Sequence, residues 1–225
     1  MKAMFVNGSP RKNWNTHRML ESAMKGAADS GADCEMIHLY DYSYKGCVSC
    51  FACKVKNSKT HGLCAYRDEL RPVLERALTC DVIVMGTPIY YSLPTGMMRS
   101  FMERLLFPAM SYSHDKDGNP IRAFNGTIYT ATILTMNCTE ELAANFGYSA
   151  VIEANAFGLR YVMGYTETLC AYNTVQFTDY SRYDANNFDG DERMRYRDEH
   201  FPEDLRKAYD LGKRLVEMAR GQGQR

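Results

Sequence analysis

Lys2-Ala3-Met4-Phe5-Val6-Asn7-Gly8-Ser9-Pro10-Arg11-Lys12-Asn13-Trp14-Asn15-Thr16 begins with a short apolar run, stops at Asn-Gly and gives way to a polar loop. Lys2 to Val6 reads as a buried strand. Beyond the loop, Met19, Leu20, Ala23, Met24 and Ala27 recur at the spacing of one helix face between Thr16 and Ala28, and Gly31 lies just past the expected end. The loop therefore leaves the carboxyl end of a strand and enters a helix, which is where open α/β sheets bind ligands.

Working outward, the alternation persists. Cys34 to Tyr40 reads as a second strand. Asp68-Glu69 can start a helix with Pro72 in its first turn and Val73, Leu74, Ala77 and Leu78 on its buried side. Asp81 to Gly86 is the clearest strand, and a helix follows from about Thr95 with a broad face of Met97, Met98, Phe101, Met102, Leu105 and Leu106, closed by Pro108. Asp115 to Pro120 is a polar turn, Thr127 to Thr135 a fourth strand, Thr139 to about Ala156 a helix, and Tyr161 to Tyr172 a fifth strand. Gln176 to His200 forms an aromatic arm with almost no aliphatic residues, unable to make a core of its own. A final helix runs from about 202 to 220, with Pro202 near its start. Strands alternating with helices imply a mostly parallel, doubly wound sheet, because parallel neighbours need long crossovers. No repeat or domain boundary interrupts the chain, so a single domain over residues 1–225 is expected.

Composition narrows the function by exclusion. Lys plus Arg (27) balance Asp plus Glu (27), so no net field draws the protein to nucleic acid or an anionic membrane. Met1 to Gly8 turns polar too early for a secretory signal, and no run approaches the roughly 20 apolar residues of a membrane span. A cytoplasmic protein is expected, in which eight cysteines are thiols, metal ligands or redox groups rather than structural disulfides. N-x-S/T triplets at Asn7, Asn125 and Asn137 then carry no meaning as glycosylation sites.

In the first loop, small residues allow close backbone approach, Ser9, Asn15 and Thr16 bring polar side chains, and the helix start offers free N–H groups. An anion suits it, a phosphate above all; a plain Gly-Ser-Pro turn with a capping residue accounts for the loop equally well. Neither the triphosphate motif G-x-x-x-x-G-K-[ST] nor the dinucleotide motif G-x-G-x-x-G is present. Gly86 to Gly96, after the third strand, joins two tyrosines to apolar residues and backbone amides, a set suited to a flat heteroaromatic ring; a Pro-rich turn with buried aromatics is the plainer alternative. Thr135-Met136-Asn137 should emerge on the same rim.

Asn-Gly-Ser-Pro-Arg-Lys-Asn-x-Asn-Thr at 7–16 and Thr-Pro-Ile-Tyr-Tyr-Ser-x-Pro-Thr-Gly at 87–96 resemble the two FMN loops of the NAD(P)H-dependent FMN reductase and iron-sulfur flavoprotein group of the flavodoxin-like superfamily. The resemblance implies a three-layer fold with a five-stranded parallel sheet in the order 2-1-3-4-5. It assigns Ser9, Arg11, Asn15 and Thr16 to the FMN phosphate, and Pro88, Ile89, Tyr90, Tyr91 and Ser92 to the isoalloxazine ring. Thr135, Met136 and Asn137 would give a third contact. Trp14 departs from the pattern, standing where such loops carry a small residue.

Cys47, Cys50 and Cys53 follow one another at gaps of two residues, with Cys64 ten residues beyond, inside a loop from Gly46 to Tyr66. Such spacing begins an iron-sulfur ligation pattern. The resemblance places a [4Fe-4S] loop here, yet the last gap is longer than in that family. Zinc held by the four cysteines or by three with His61, a thiol-disulfide pair, and free thiols all remain open.

The resulting expectation is an FMN-dependent oxidoreductase that takes electrons from NAD(P)H and passes them to a small-molecule or protein acceptor. An iron-sulfur flavoprotein acting as electron carrier and a non-catalytic flavin-binding module are the alternatives. The aromatic arm suits a homodimer, since tyrosine combines apolar area with a polar tip.

Overall fold

Five of the six residues of strand β1 (Lys2–Asn7) are buried, as a strand covered on both faces requires. The computed structural model describes residues 1–118, 120–122 and 126–222. After β1 come α1 (Asn15–Asp29), β2 (Asp33–His38), α2 (Leu70–Ala77), β3 (Val82–Tyr90), β4 (Leu93–Pro94), α3 (Gly96–Ala109), β5 (Met110–His114), β6 (Pro120–Arg122), β7 (Ile128–Thr135), α4 (Glu140–Asn145), α5 (Tyr148–Met163), β8 (Gly164–Ala171) and α6 (Gly190–Gln222). The parallel strands lie in the order β2-β1-β3-β7-β8, which by rank along the chain is the expected 2-1-3-4-5, and β4 adds a short antiparallel pairing to β3.

Alternate β1 side chains point to opposite faces. Ala3 and Phe5 meet Met19, Leu20 and Ala23 of α1 and Leu211, Leu215 and Val216 of α6. Met4 and Val6 join Leu74 of α2, Phe101 and Leu105 of α3 and Leu159 of α5. The result is a three-layer, flavodoxin-like α/β fold. At the α1–α6 contact, Gly26 and Gly212 let the backbones touch: a Cβ on Gly26 would fall 2.0 Å from the carbonyl oxygen of Tyr209, and one on Gly212 1.9 Å from that of Ala23.

Several boundaries differ from the sequence expectation. β3 continues through Thr87-Pro88-Ile89-Tyr90, so the expected second loop is a hairpin closed by Tyr91 and Ser92, both at positive φ (47° and 69°). The helix expected from Thr139 to Ala156 breaks at Gly147 (φ +75°) into α4 and α5, and α5 then runs on to Met163. β5 and β6 form a small hairpin around the polar turn, of which Asn119 lies outside the described residues, as does Asn125 with its triplet.

The arm is the largest correction. Its aromatic rings pack on one another, Phe177 stacked on Tyr183 at 4.0 Å and Tyr180 edge-on to Phe177 and Phe188. α6 already starts at Gly190, with Pro202 inside it. Proline removes one backbone donor there, and burial of Arg193 and Phe201, both ahead of it, anchors the first turns to the body. Among the described residues no helix is long and apolar enough to cross a membrane.

Candidate cofactor site

The first loop is built on Asn7. Its buried amide Oδ1 accepts from the Ser9 N–H (2.9 Å), so Nδ2 is left facing His38 Nδ1 at 3.2 Å. Burial, with the neighbouring His17 and Lys12, holds His38 below the usual histidine pKa, in keeping with an imidazole nitrogen that accepts. Ser9 Oγ in turn accepts from the Arg11 N–H (3.2 Å). The Gly8 N–H donates to Gly86 O (2.8 Å) and Thr95 Oγ1 donates to Gly8 O (2.8 Å), which ties the loop after β1 to β3 and to the start of α3. A Cβ on Gly8 would sit 2.9 Å from Met98 Cβ, so glycine permits this close approach.

Helix α1 then starts with no side-chain cap from Trp14, and its first-turn amides have no intrahelical acceptors. Its end is a positive pole open to an anion. Thr16 Oγ1 lies 2.7 Å from Thr135 Oγ1, joining the first loop to the end of β7.

Ser9, Arg11, Asn15, Thr16, Pro88, Ile89, Tyr90, Thr135, Met136 and Asn137 line one cavity of about 50 Å³. Tyr91 and Ser92 do not; they form the hairpin tip, where Tyr91 is fully exposed. Of the two remaining walls, the first is Trp14, whose departure from the loop pattern thus covers part of the site, and the second, Thr174-Val175-Gln176 after β8, was not anticipated from sequence. Val175 O accepts from both Trp14 Nε1 (3.0 Å) and Asn15 Nδ2 (2.8 Å), and Gln176 O from Arg11 Nη1 (2.6 Å). The Arg11 guanidinium lies 5.0 Å from the Trp14 ring centroid, so the tryptophan supports the cation. Sequence position alone could have suggested 174–176, because every strand of such a sheet delivers its following loop to this edge. Among the described residues no carboxylate lines the cavity. Hydroxyls, amides, one guanidinium and a helix N-terminus make a donor set that fits a phosphate monoester, while the hairpin beside it offers Tyr90 to a flat ring.

The cysteine loop packs against α3, the Cys47 N–H donating to Glu103 Oε2 at 3.2 Å. Cys47 and Cys50 are exposed and Cys53 and Cys64 buried, yet all four line a narrow cavity of about 20 Å³. Arg104 of α3, 2% exposed, closes it: its guanidinium donates to Cys64 Sγ (3.3 Å), to Lys45 O (3.0 Å), to Tyr66 O (3.3 Å) and to both oxygens of Asp68 (2.5 and 2.8 Å). One side chain thus holds both ends of the loop. Among the described residues, no three His, Cys, Asp or Glu side chains are placed to hold one metal ion. The thiols share a wall without forming a ligand set, and His61 is exposed.

Fold and site together define a flavodoxin-like protein with a donor-rich first loop at the carboxyl end of β1. Residues 1–135 match the NADPH-dependent FMN reductase family, and the chain belongs to that family. An iron-sulfur flavoprotein of Archaeoglobus fulgidus is 38% identical over 104 residues, 46% of this chain and 48% of that protein. The chain spans about half the length of the curated relatives it matches. Two solved structures share the fold across nearly the whole chain. The NAD(P)H:quinone oxidoreductase from Methanothermobacter marburgensis has a TM-score of 0.69 at 14% identity, covering 96% of each chain. An azoreductase from Bacillus anthracis has a TM-score of 0.66 at 12% identity, covering 95% of this chain and 99% of the other.

Proposed function

We propose that this protein binds FMN in the cavity beside α1 and is an oxidoreductase that takes electrons from NAD(P)H and delivers them to a small-molecule or protein acceptor. The observation that carries this reading is the convergence of ten predicted residues from three segments on one cavity that no described carboxylate lines. Bound FMN would supply the redox chemistry. The chain's part is placement: Ser9, Arg11, Asn15, Thr16 and the first amides of α1 hold the phosphate, and Pro88, Ile89 and Tyr90 border the ring. Thr135, Met136 and Asn137 close the third side. Exposure of Tyr90 and Tyr91 at the hairpin suits a ring edge open to donor and acceptor in turn. Titration of the FMN-loaded protein with NADH and with NADPH under anaerobic conditions tests this: bleaching of the flavin absorbance is expected, and no bleaching by either would sink it.

The shared cavity of Cys47, Cys50, Cys53 and Cys64 favours a second reading, an electron carrier in which the loop rearranges to take a [4Fe-4S] cluster. Reconstitution with iron and sulfide, followed by visible absorption and EPR, distinguishes the two. Eight free thiols suit a reducing cytoplasm. A homodimer is supported by exposed Phe51, Tyr112, Phe157 and Tyr161 around one apolar groove between α3 and α5. Light scattering of the eluted protein checks it, a monomer mass being the adverse result.

A further inference from the structure

Arg193, in the first turn of α6, lies outside the family match and outside every sequence motif. It is only 8% exposed, and its guanidinium has no carboxylate partner among the described residues. Nη2 donates to Asn137 O (2.7 Å) and to Asn137 Oδ1, with Thr174 O at 3.5 Å. The face of the cation rests 4.9 Å from the Phe188 ring, and buried Nε finds no acceptor. Buried charges are ordinarily paired, because an isolated ion loses its hydration without recompense. A buried cation with a spare N–H and only neutral partners is therefore an incomplete arrangement.

What it touches says what completes it. Asn137 and Thr174 both line the cofactor cavity, and Thr174 is fixed to Met136 O through its N–H (2.9 Å) and its hydroxyl (3.1 Å). Arg193 thus clasps the loops after β7 and β8 against each other, behind a cavity whose own wall bears Arg11 and no acidic side chain. From the far side, the first turn of α1 adds its positive end. Among the described residues that line the cavity, the charged side chain is Arg11, so the fixed charge facing this space is positive.

We propose that Arg193 is a positioning residue of the cofactor site and supplies a buried positive charge, in addition to the exposed Arg11, that favours a phosphate-bearing flavin over its phosphate-free parent. It acts through Asn137 and Thr174 and through its field in a water-poor setting. This rests on the FMN reading above and adds a residue from α6 that sets ligand choice.

The test compares FMN with riboflavin on the full apo-chain, following flavin fluorescence to obtain both dissociation constants. In the Arg193→Gln variant, which keeps a donor but no charge, FMN affinity should fall about tenfold while riboflavin affinity changes less than twofold. Arg193→Lys, which keeps the charge, should retain most of the preference for FMN. Equal losses for both flavins in Gln would mean a structural brace only and would overturn the proposal. So would a folded Lys variant that has lost the preference, which also covers the case of a Gln variant that does not fold. Failure of the wild-type chain to bind either flavin would overturn the FMN reading, and this proposal with it.

Discussion

Trp14 donates its indole N–H to the carbonyl of Val175, 3.0 Å away, joining the loop after β1 to the segment after β8 across 161 residues. The same carbonyl receives Asn15 Nδ2, and the same ring lies beside Arg11. Trp14 thereby aligns Arg11 and Asn15 as one wall of the cavity. The tryptophan is also the single one in the chain, so its emission reports this wall alone. Adding FMN should quench it in a saturable manner. Trp14→Phe retains a ring beside Arg11 but loses the hydrogen bond, which should weaken FMN binding by about 1 kcal/mol, some fivefold. Unchanged affinity would show the bond to be incidental.

The thiols offer a prediction that needs no cofactor. Cys47 and Cys50 are exposed, whereas Cys53 and Cys64 are buried, and burial pushes the Cys53 thiol above its ordinary pKa. Since the thiolate is the reacting form, alkylation of the native protein near neutral pH should modify Cys47 and Cys50 well before Cys53 and Cys64. Cys80, raised to about 11 by burial first and by Glu35 and Asp81 next, should be slow as well. Peptide mass mapping over a time course gives the order, and simultaneous labelling of all four loop cysteines would contradict the packed loop.

Close helix contact through glycine makes a third prediction. Gly212→Ala places a methyl group 1.9 Å from the Ala23 carbonyl oxygen, a backbone atom that cannot turn aside. Separating α1 from α6 should cost about 3 kcal/mol or more, read as a lower urea midpoint. Gly96→Ala is the control: among the described residues, nothing beyond its chain neighbours and its own helix backbone lies within 4 Å of the new carbon, so stability should stay within about 0.5 kcal/mol.

The parallel sheet was readable because each strand is a short apolar run followed by a helical period, and its order followed from the resemblance of the two loops to a known family. The first-loop residues were readable for a related reason: a strand-to-helix loop in such a sheet has one destination. Harder to see was the extension of β3 through Pro88, a residue that ordinarily marks a break but here pairs opposite Thr135 at the end of the ladder. Val175 and Gln176 act through backbone carbonyls, which every residue carries, so no side-chain pattern announces them. Arg104 and Arg193 read as ordinary helix charges, since only tertiary packing decides that a cation is buried.

Arg104 and Asp68 yield the pH-dependent prediction. Their side chains are 1% and 12% exposed and meet through two hydrogen bonds of 2.5 and 2.8 Å. Partial burial alone would raise the Asp68 pKa, but the hydrogen bonds and charge of Arg104 outweigh it and hold the carboxyl below the ordinary value. A carboxyl with a lowered folded-state pKa contributes fully above its unfolded value, about 3.9, and loses that contribution as the pH falls through the lower folded one. Thermal midpoints should accordingly drop once the pH passes below about 4. Asp68→Asn leaves the Arg104 charge buried beside Cys64 without its partner, which should cost about 3–5 kcal/mol at neutral pH. It should also remove the part of the acid-induced loss that belongs to this carboxyl, so wild type and variant converge as the pH falls. Parallel pH profiles would mean that Asp68 does not titrate in the folding transition, and that Arg104 keeps the ends of the cysteine loop together by its bonds to Lys45, Cys64 and Tyr66 alone.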